Sequence, residues 1–268
     1  MMKKNPWSWL TLLAITLGHT ATANAFDHTY AAWNAVTKQH VHWLQDKVQS
    51  RIDYARLKQE GTVSQVTKDF SALTQAEFDT WSKQQQMAFL INAYNAFTVE
   101  LILTTYPDLH SIKDLGSLFE SPWKHEFFTL LGAQRNLDWI EHDLLRAHYQ
   151  DPRVHTAIVC ASIGCPALNT DAYTANKLDQ QLDDGMQRFL SDRTRNRYRE
   201  GKLEVSSIFK WFKEDFEKGN AGFAHIEDVF ARYADRMTDD PQVQAKIRAK
   251  SLRITFLDYD WSLNDVSR

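Results

Sequence analysis

Met87-Ala88-Phe89-Leu90-Ile91-Asn92-Ala93-Tyr94-Asn95-Ala96-Phe97-Thr98-Val99-Glu100-Leu101-Ile102-Leu103-Thr104 is the stretch whose reading decides the fold. It is far longer than a strand, and its apolar residues fall on every side of a helical projection. A helix of that kind belongs inside a core, with other elements packed around it. Lys83-Gln84-Gln85-Gln86 leads into the run, and Pro107 closes it, because proline lacks an N–H and clashes with the preceding turn. Asn92 and Asn95 stand three residues apart and so share one helix face. Two amides buried there require partners, since each one left bare costs about 1–3 kcal/mol.

Toward the N-terminus, Trp33, Val36, Val41, Trp43, Leu44 and Val48 are spaced as on an amphipathic helix over residues 30–49. Residues 54–58 read as a short extended or turn segment and 62–73 as a helix. Thr74 with Glu77 is a capping-box signature for a further helix containing Trp81.

Toward the C-terminus, residues 124–131 read as a strand that turns at 132–135 and returns through Asn136 and Leu137. Asp138 is predicted to cap a helix, with Glu141 as its capping-box partner. Residues 154–160, apolar on both faces, read as a buried central strand. A tight loop, Ala161-Ser162-Ile163-Gly164-Cys165-Pro166, follows, and then a helix over 174–190. Residues 193–205 read as a hairpin turning at Glu200-Gly201-Lys202, with Arg193, Arg195, Arg197 and Arg199 on a solvated face. Ser207 is placed as the cap of an aromatic helix over 208–216 that packs the core. Two more helices and a strand over 252–257 close the chain. The fold predicted is α+β: a single, mainly helical domain around a small β-sheet containing the 155–160 strand.

The first residues form a separate unit. Lys3 and Lys4 precede an uncharged apolar stretch from Trp7 to Gly18, and Ala23-Asn24-Ala25 supplies the small-residue pattern of a cleavage site. Residues 1–25 are therefore expected to be a signal peptide cleaved near Ala25, leaving 26–268 as one domain in the periplasm or secreted. No later run is expected to span a membrane, which takes about 20 apolar residues. The net charge of −3 turns more acidic when the two leader lysines go, which argues against nucleic acid as a partner. The sequence implies no cofactor and leaves the oligomeric state open.

The chemistry centres on Cys160, placed at a strand end before a small-residue loop where a side chain meets a ligand. As a nucleophile it needs a lowered pKa, supplied by a histidine, a helix N-terminus or a metal. His155 lies five residues away, on the opposite face of a regular strand, so His142 and His125 are equal candidates for the base. Glu141 precedes His142, but adjacent helical residues diverge too far for one to hold the other. Cys160 and Cys165 alternatively form a disulfide, stabilising by about 2 kcal/mol for so small a ring.

These segments together resemble the domain-of-unknown-function family 547. The resemblance is carried by Ala88-Phe89-Leu90-Ile91-Asn92-Ala93-Tyr94-Asn95-Ala96-Phe97-Thr98, by Leu137-Asp138-Trp139-Ile140-Glu141-His142 with Leu145-Arg146, and by Asp151-Pro152-Arg153-Val154-His155 with Cys160-Ala161-Ser162-Ile163-Gly164-Cys165-Pro166. The aromatic stretch 208–216 and the closing Tyr259-Asp260-Trp261-Ser262-Leu263-Asn264 add to it. It implies that Asn92, Tyr94, Asn95, Glu141, His142, Arg153, His155, Cys160 and Cys165 are the positions to watch. Plant-like members lack a match for Cys165, which implies that Cys160 is the more important thiol.

The function expected is an exported cysteine-dependent hydrolase or acyl-transfer enzyme acting on a peptide-like or thiol-containing small molecule. Cys160 is its nucleophile, His142 or His155 its base and Glu141 the orienter, with Asn92 or Asn95 as oxyanion donor and Tyr94 and Arg153 binding substrate. The alternatives are a non-catalytic periplasmic binding or envelope-organising protein with a Cys160–Cys165 disulfide, and a metal-binding protein using His142, His155 and a cysteine.

Overall fold

Ser82 starts the central helix through a reciprocal capping box: its hydroxyl accepts from Gln85 N (3.2 Å) while Gln85 Oε1 accepts from Ser82 N (2.9 Å). The helix then runs over Lys83–Thr105. The computed structural model describes residues 25–117 and 120–268, and the expected signal peptide lies outside them but for Ala25. Every residue from Gln86 to Val99 is buried. By length and composition this helix is long and apolar enough to cross a membrane, contrary to the expectation from sequence, yet the rest of the chain encloses it. Glu100, which interrupts the run, sits at its margin and accepts from Thr67 Oγ1 (2.8 Å).

Around the central helix pack the helices Ala31–His40, Tyr54–Glu60 and Thr62–Ser71. The helix predicted over 30–49 stops at His40, where the chain enters a hairpin, Val41–Trp43 paired with Ser50–Ile52. Val41 and Trp43 thus meet the core from a strand, a placement that helical spacing alone does not distinguish. The segment predicted as extended, 54–58, is helical instead, because Asp53 caps it by accepting from Arg56 N (3.0 Å) and Gly61 ends it in a left-handed conformation.

The protein is mainly helical with small sheets, but among the described residues no sheet lies at its centre. Phe128–Leu130 pairs with Ala133–Arg135 as a hairpin. Arg197–Arg199, Lys202–Ser206 and Arg253–Leu257 form a three-stranded sheet, antiparallel across the first pair and parallel across the second. The predicted strand 154–160 does not form: Pro152–Thr156 is a 3-10 helix, begun by Asp151 Oδ1 accepting from Arg153 N (3.0 Å). Proline at the first position suits a helical start and no central strand.

Among the described residues the buried hydrophobic side chains fall into two clusters. One surrounds the central helix; the other gathers Phe189, Phe209, Phe216, Phe223 and Phe230 against the three-stranded sheet. The helix Leu178–Ser191 joins them, giving Leu178 and Leu182 to the first and Met186, Phe189 and Leu190 to the second. The predicted aromatic helix is two short ones, Ile208–Trp211 and Lys213–Phe216, and Ser207 makes no side-chain cap, its hydroxyl donating to Leu257 O (2.6 Å).

Candidate functional site

Asn95 does for residues 157–159 what a neighbouring strand would have done. Its Nδ2 donates to Ala157 O (2.9 Å) and its Oδ1 accepts from Val159 N (2.9 Å), so the chain leaves the 3-10 helix satisfied without a sheet. Ala161 then turns in the left-handed region and the loop closes on a Cys160–Cys165 disulfide. The C-terminal segment holds the loop from outside: Ile163 N donates to Ser262 O (2.8 Å), Gly164 N to Asp260 O (2.8 Å), and Asn264 N to Ala161 O (3.1 Å). Gly164 is required for that approach, because a Cβ there would lie 2.9 Å from both Asp260 O and the Tyr259 ring.

Arg195 corrects the expectation of a solvated arginine face. It is buried, paired with Asp192 (2.5 Å), and donates to the carbonyls of Ile163 and Cys165, clamping the loop from inside.

Residues 139–149 form a π-helix, Trp139–Tyr149, rather than a capped α-helix. Asp138 is already in a helical conformation and makes no side-chain cap; Asn136 does so by accepting from Trp139 N (2.8 Å). Glu141, predicted as a capping-box partner at the surface, is buried and accepts from Tyr94 Oη (3.1 Å). Burial pushes its pKa up to about 7, with the charge of Asp138 adding to the rise and the Tyr94 hydrogen bond opposing it. Glu141 and His142 do not hold each other: Arg146 Nη1 donates to His142 Nδ1 (2.6 Å), and His142 Nε2 lies 3.7 Å from Asp138 Oδ1.

His155 is buried, its ring stacked on Phe212 with centroids 3.8 Å apart, and its Nε2 lies 2.8 Å from Asp215 Oδ2. Burial opposes the Asp215 charge, but hydrogen bonds from His155, Arg146 (2.5 Å) and Lys218 (3.0 Å) hold its carboxyl well below the usual range. Burial lowers the His155 pKa despite Asp215, so the ring is neutral near pH 7. With Asp215 ionised, Nε2 carries the proton and Nδ1 keeps its lone pair. Nδ1 is buried, has no hydrogen-bond partner among the described residues and lies 3.8 Å from Glu141 Oε1.

These groups open onto one cavity of about 200 Å³. Cys160, Cys165, Glu141, His142, His155 and Tyr94 all line it. His155 and Cys160 reach the same cavity, against the opposite faces expected of a strand, because the backbone between them is not extended. Trp123, Trp211, Phe212, Tyr259 and Trp261 form aromatic walls, with Trp211 and Trp261 stacked at 5.6 Å. Tyr259 Oη sits 3.0 Å from Cys160 Sγ and 3.2 Å from Cys165 Sγ, and accepts from Ser162 Oγ (3.0 Å). Burial raises the Tyr259 pKa and keeps its hydroxyl protonated.

Four predicted residues do not join the site. Asn92 bonds the backbone of Tyr173 through both ends of its amide, Nδ2 to the carbonyl (2.8 Å) and Oδ1 from the N–H (2.9 Å). Asn95 is occupied in the same way by Ala157 and Val159, so neither amide faces the cavity as an oxyanion donor. Arg153 pairs with Asp151 and Asp179 (both 2.7 Å) beside a separate surface recess. His125 is exposed and does not line the cavity. Among the described residues no group of three or more His, Cys, Asp or Glu is placed to hold a metal ion.

Asp215, Arg146 and Tyr259 also take part in the candidate site, and none of them was expected there from the sequence. Arg146 stands four residues after His142, the spacing of neighbours on a helix face, and that signal was present. Asp215 and Tyr259 arrive from distant segments, and their only mark was membership of the stretches that carried the family resemblance. No curated protein and no solved structure matches the chain. Residues 78–190, which hold the central helix, the π-helix and the cysteine loop, match the model of the family described as Protein of unknown function, DUF547.

Proposed function

We propose that the protein is an exported enzyme that carries out cysteine-dependent hydrolysis or acyl transfer on a small peptide-like or thiol-containing molecule. Cys160 attacks once an external thiol has reduced its bond to Cys165 and been oxidised to its own disulfide. The observation that supports this reading is the convergence of Cys160, His155, His142 and Glu141 on one aromatic-walled cavity. His155 is the base, with Asp215 in the orienting role first given to Glu141, and its free Nδ1 is the site that takes up a proton. Glu141, half-protonated near neutrality, is the group suited to return a proton to the leaving group.

The test is alkylation of the phosphine-reduced protein with iodoacetamide, mapped by mass spectrometry across a pH series. Cys160 should react with an apparent pKa below the free-thiol value of about 8.5, Cys165 should lag, and His155→Ala should move Cys160 back toward that value. A Cys160 that reacts no faster than a buried thiol overturns the proposal. A non-catalytic binding protein is the second reading, favoured by the closed disulfide and by the full engagement of Asn92 and Asn95 with backbone. An unreactive Cys160 in folded, reduced protein selects it.

A further inference from the structure

The two sulfurs of the Cys160–Cys165 bridge are not equivalent. Cys160 is half-buried at the cavity wall, whereas Cys165 is 5% exposed. Cys165 Sγ accepts from Cys160 N (2.8 Å) and from Tyr259 Oη (3.2 Å), and the Arg195 guanidinium bonds the Cys165 carbonyl. N–H, O–H and a nearby cation all stabilise negative charge on a sulfur, and a better-stabilised thiolate is a faster leaving group. Cys160 Sγ has the hydroxyls of Ser162 (3.1 Å) and Tyr259 (3.0 Å) beside it, and no backbone donor among the described residues. A structural bridge has no need to face a cavity, to expose one sulfur or to place donors on the other.

We propose that the Cys160–Cys165 bridge is a site of thiol–disulfide exchange with a small-molecule thiol that enters the cavity. The incoming thiolate forms a bond to Cys160 Sγ as the Cys160–Cys165 bond breaks, and the electron pair leaves on Cys165 Sγ. A second thiol attacks the mixed disulfide and releases the small disulfide. Two small thiols are thereby oxidised, and the protein bridge takes up their two electrons and two protons to become two thiols. The Tyr259 hydroxyl, kept in place by Ser162 Oγ, stabilises the departing Cys165 sulfur and is a positioning residue for this step. The exchange goes beyond acyl transfer and does not depend on it, since it requires neither His155 nor Glu141.

The test incubates the oxidised, folded protein in glutathione redox buffers at neutral pH without denaturant, followed by acid quench, alkylation and mass mapping. The bridge should open while circular dichroism stays native, and Cys165→Ser should accumulate a glutathione adduct on Cys160. In Cys160→Ser, the adduct on Cys165 should form at least about tenfold more slowly. Tyr259→Phe, which keeps the ring and removes the donor, should slow opening of the bridge about tenfold, the usual worth of a hydrogen bond to a charged group. The wild-type measurement needs no variant to fold. A bridge that opens only when the chain unfolds, a Cys165 that captures glutathione as fast as Cys160, or a Tyr259→Phe protein that opens at the wild-type rate each overturns the proposal. A phosphine-reduced protein with a reactive Cys160 but an exchange-resistant bridge would refute the exchange alone and leave the acyl-transfer reading standing.

Discussion

Burial raises the pKa of Glu141 far above the ordinary carboxyl range, and the effect on stability has a definite sign. The folded carboxyl keeps its proton up to about pH 7, whereas an unfolded one releases it near the ordinary value of 4.5. Between those values the native state binds more protons, so this contribution is complete below the unfolded pKa and is lost as pH rises through the folded one. His155 and Asp215, both shifted downward, act in the opposite sense and weaken the fold as pH falls. The difference between wild type and Glu141→Gln separates them. Wild type should lose up to about 3 kcal/mol relative to the variant as pH rises from 4.5 to above 7. Urea melts across that range measure it, and a pH-independent difference would show that the carboxyl is not held neutral.

At the scale of elements, the 3-10 helix Pro152–Thr156 and the residues after it depend on a side chain of another element. Val159 N and Ala157 O have Asn95 as their partner, in a stretch where both are enclosed by the core. Asn95→Ala should therefore cost about 1–3 kcal/mol for each of the two backbone groups left bare. It should also loosen the cysteine loop, read as faster amide exchange over residues 157–165. Chemical denaturation gives the first and exchange mass spectrometry the second; a variant as stable as wild type would mean that other groups satisfy this backbone. The π-helix Trp139–Tyr149 has a matching role. Its winding turns Glu141 inward to Tyr94 while Arg146 reaches across to Asp215, joining the central helix to the second cluster.

For the whole molecule, the two buried clusters are tied together by the helix Leu178–Ser191, by the Arg146–Asp215 ion pair and by the C-terminal segment on the cysteine loop. With that many shared elements neither cluster should melt alone. Urea unfolding followed by far-UV circular dichroism and by tryptophan fluorescence should give coincident single transitions. Two separated transitions would show that residues 186–247 form an autonomous unit. Reducing the bridge should shift the common midpoint only modestly, since so small a ring contributes about 2 kcal/mol.

The apolar length of residues 87–104 determined a buried central helix by itself, because nothing but a core can cover a helix that is hydrophobic all round. Caps and breakers near in sequence, such as Thr74 and Glu200-Gly201, placed element ends because they act on backbone within a few residues. Cys160, His155, His142 and Glu141 were legible as candidates because of their residue types and the family resemblance, and they line one cavity. Their arrangement was not. Whether residues 154–160 extend into a strand depended on whether a partner strand lay beside them, and Asn95 took that place. Whether Glu141 faced solvent or Tyr94, and whether His155 was oriented by Glu141 or Asp215, depended on groups 47 and 60 residues away in the chain. Side chains so distant in sequence leave no periodicity, so only the packed structure decided them.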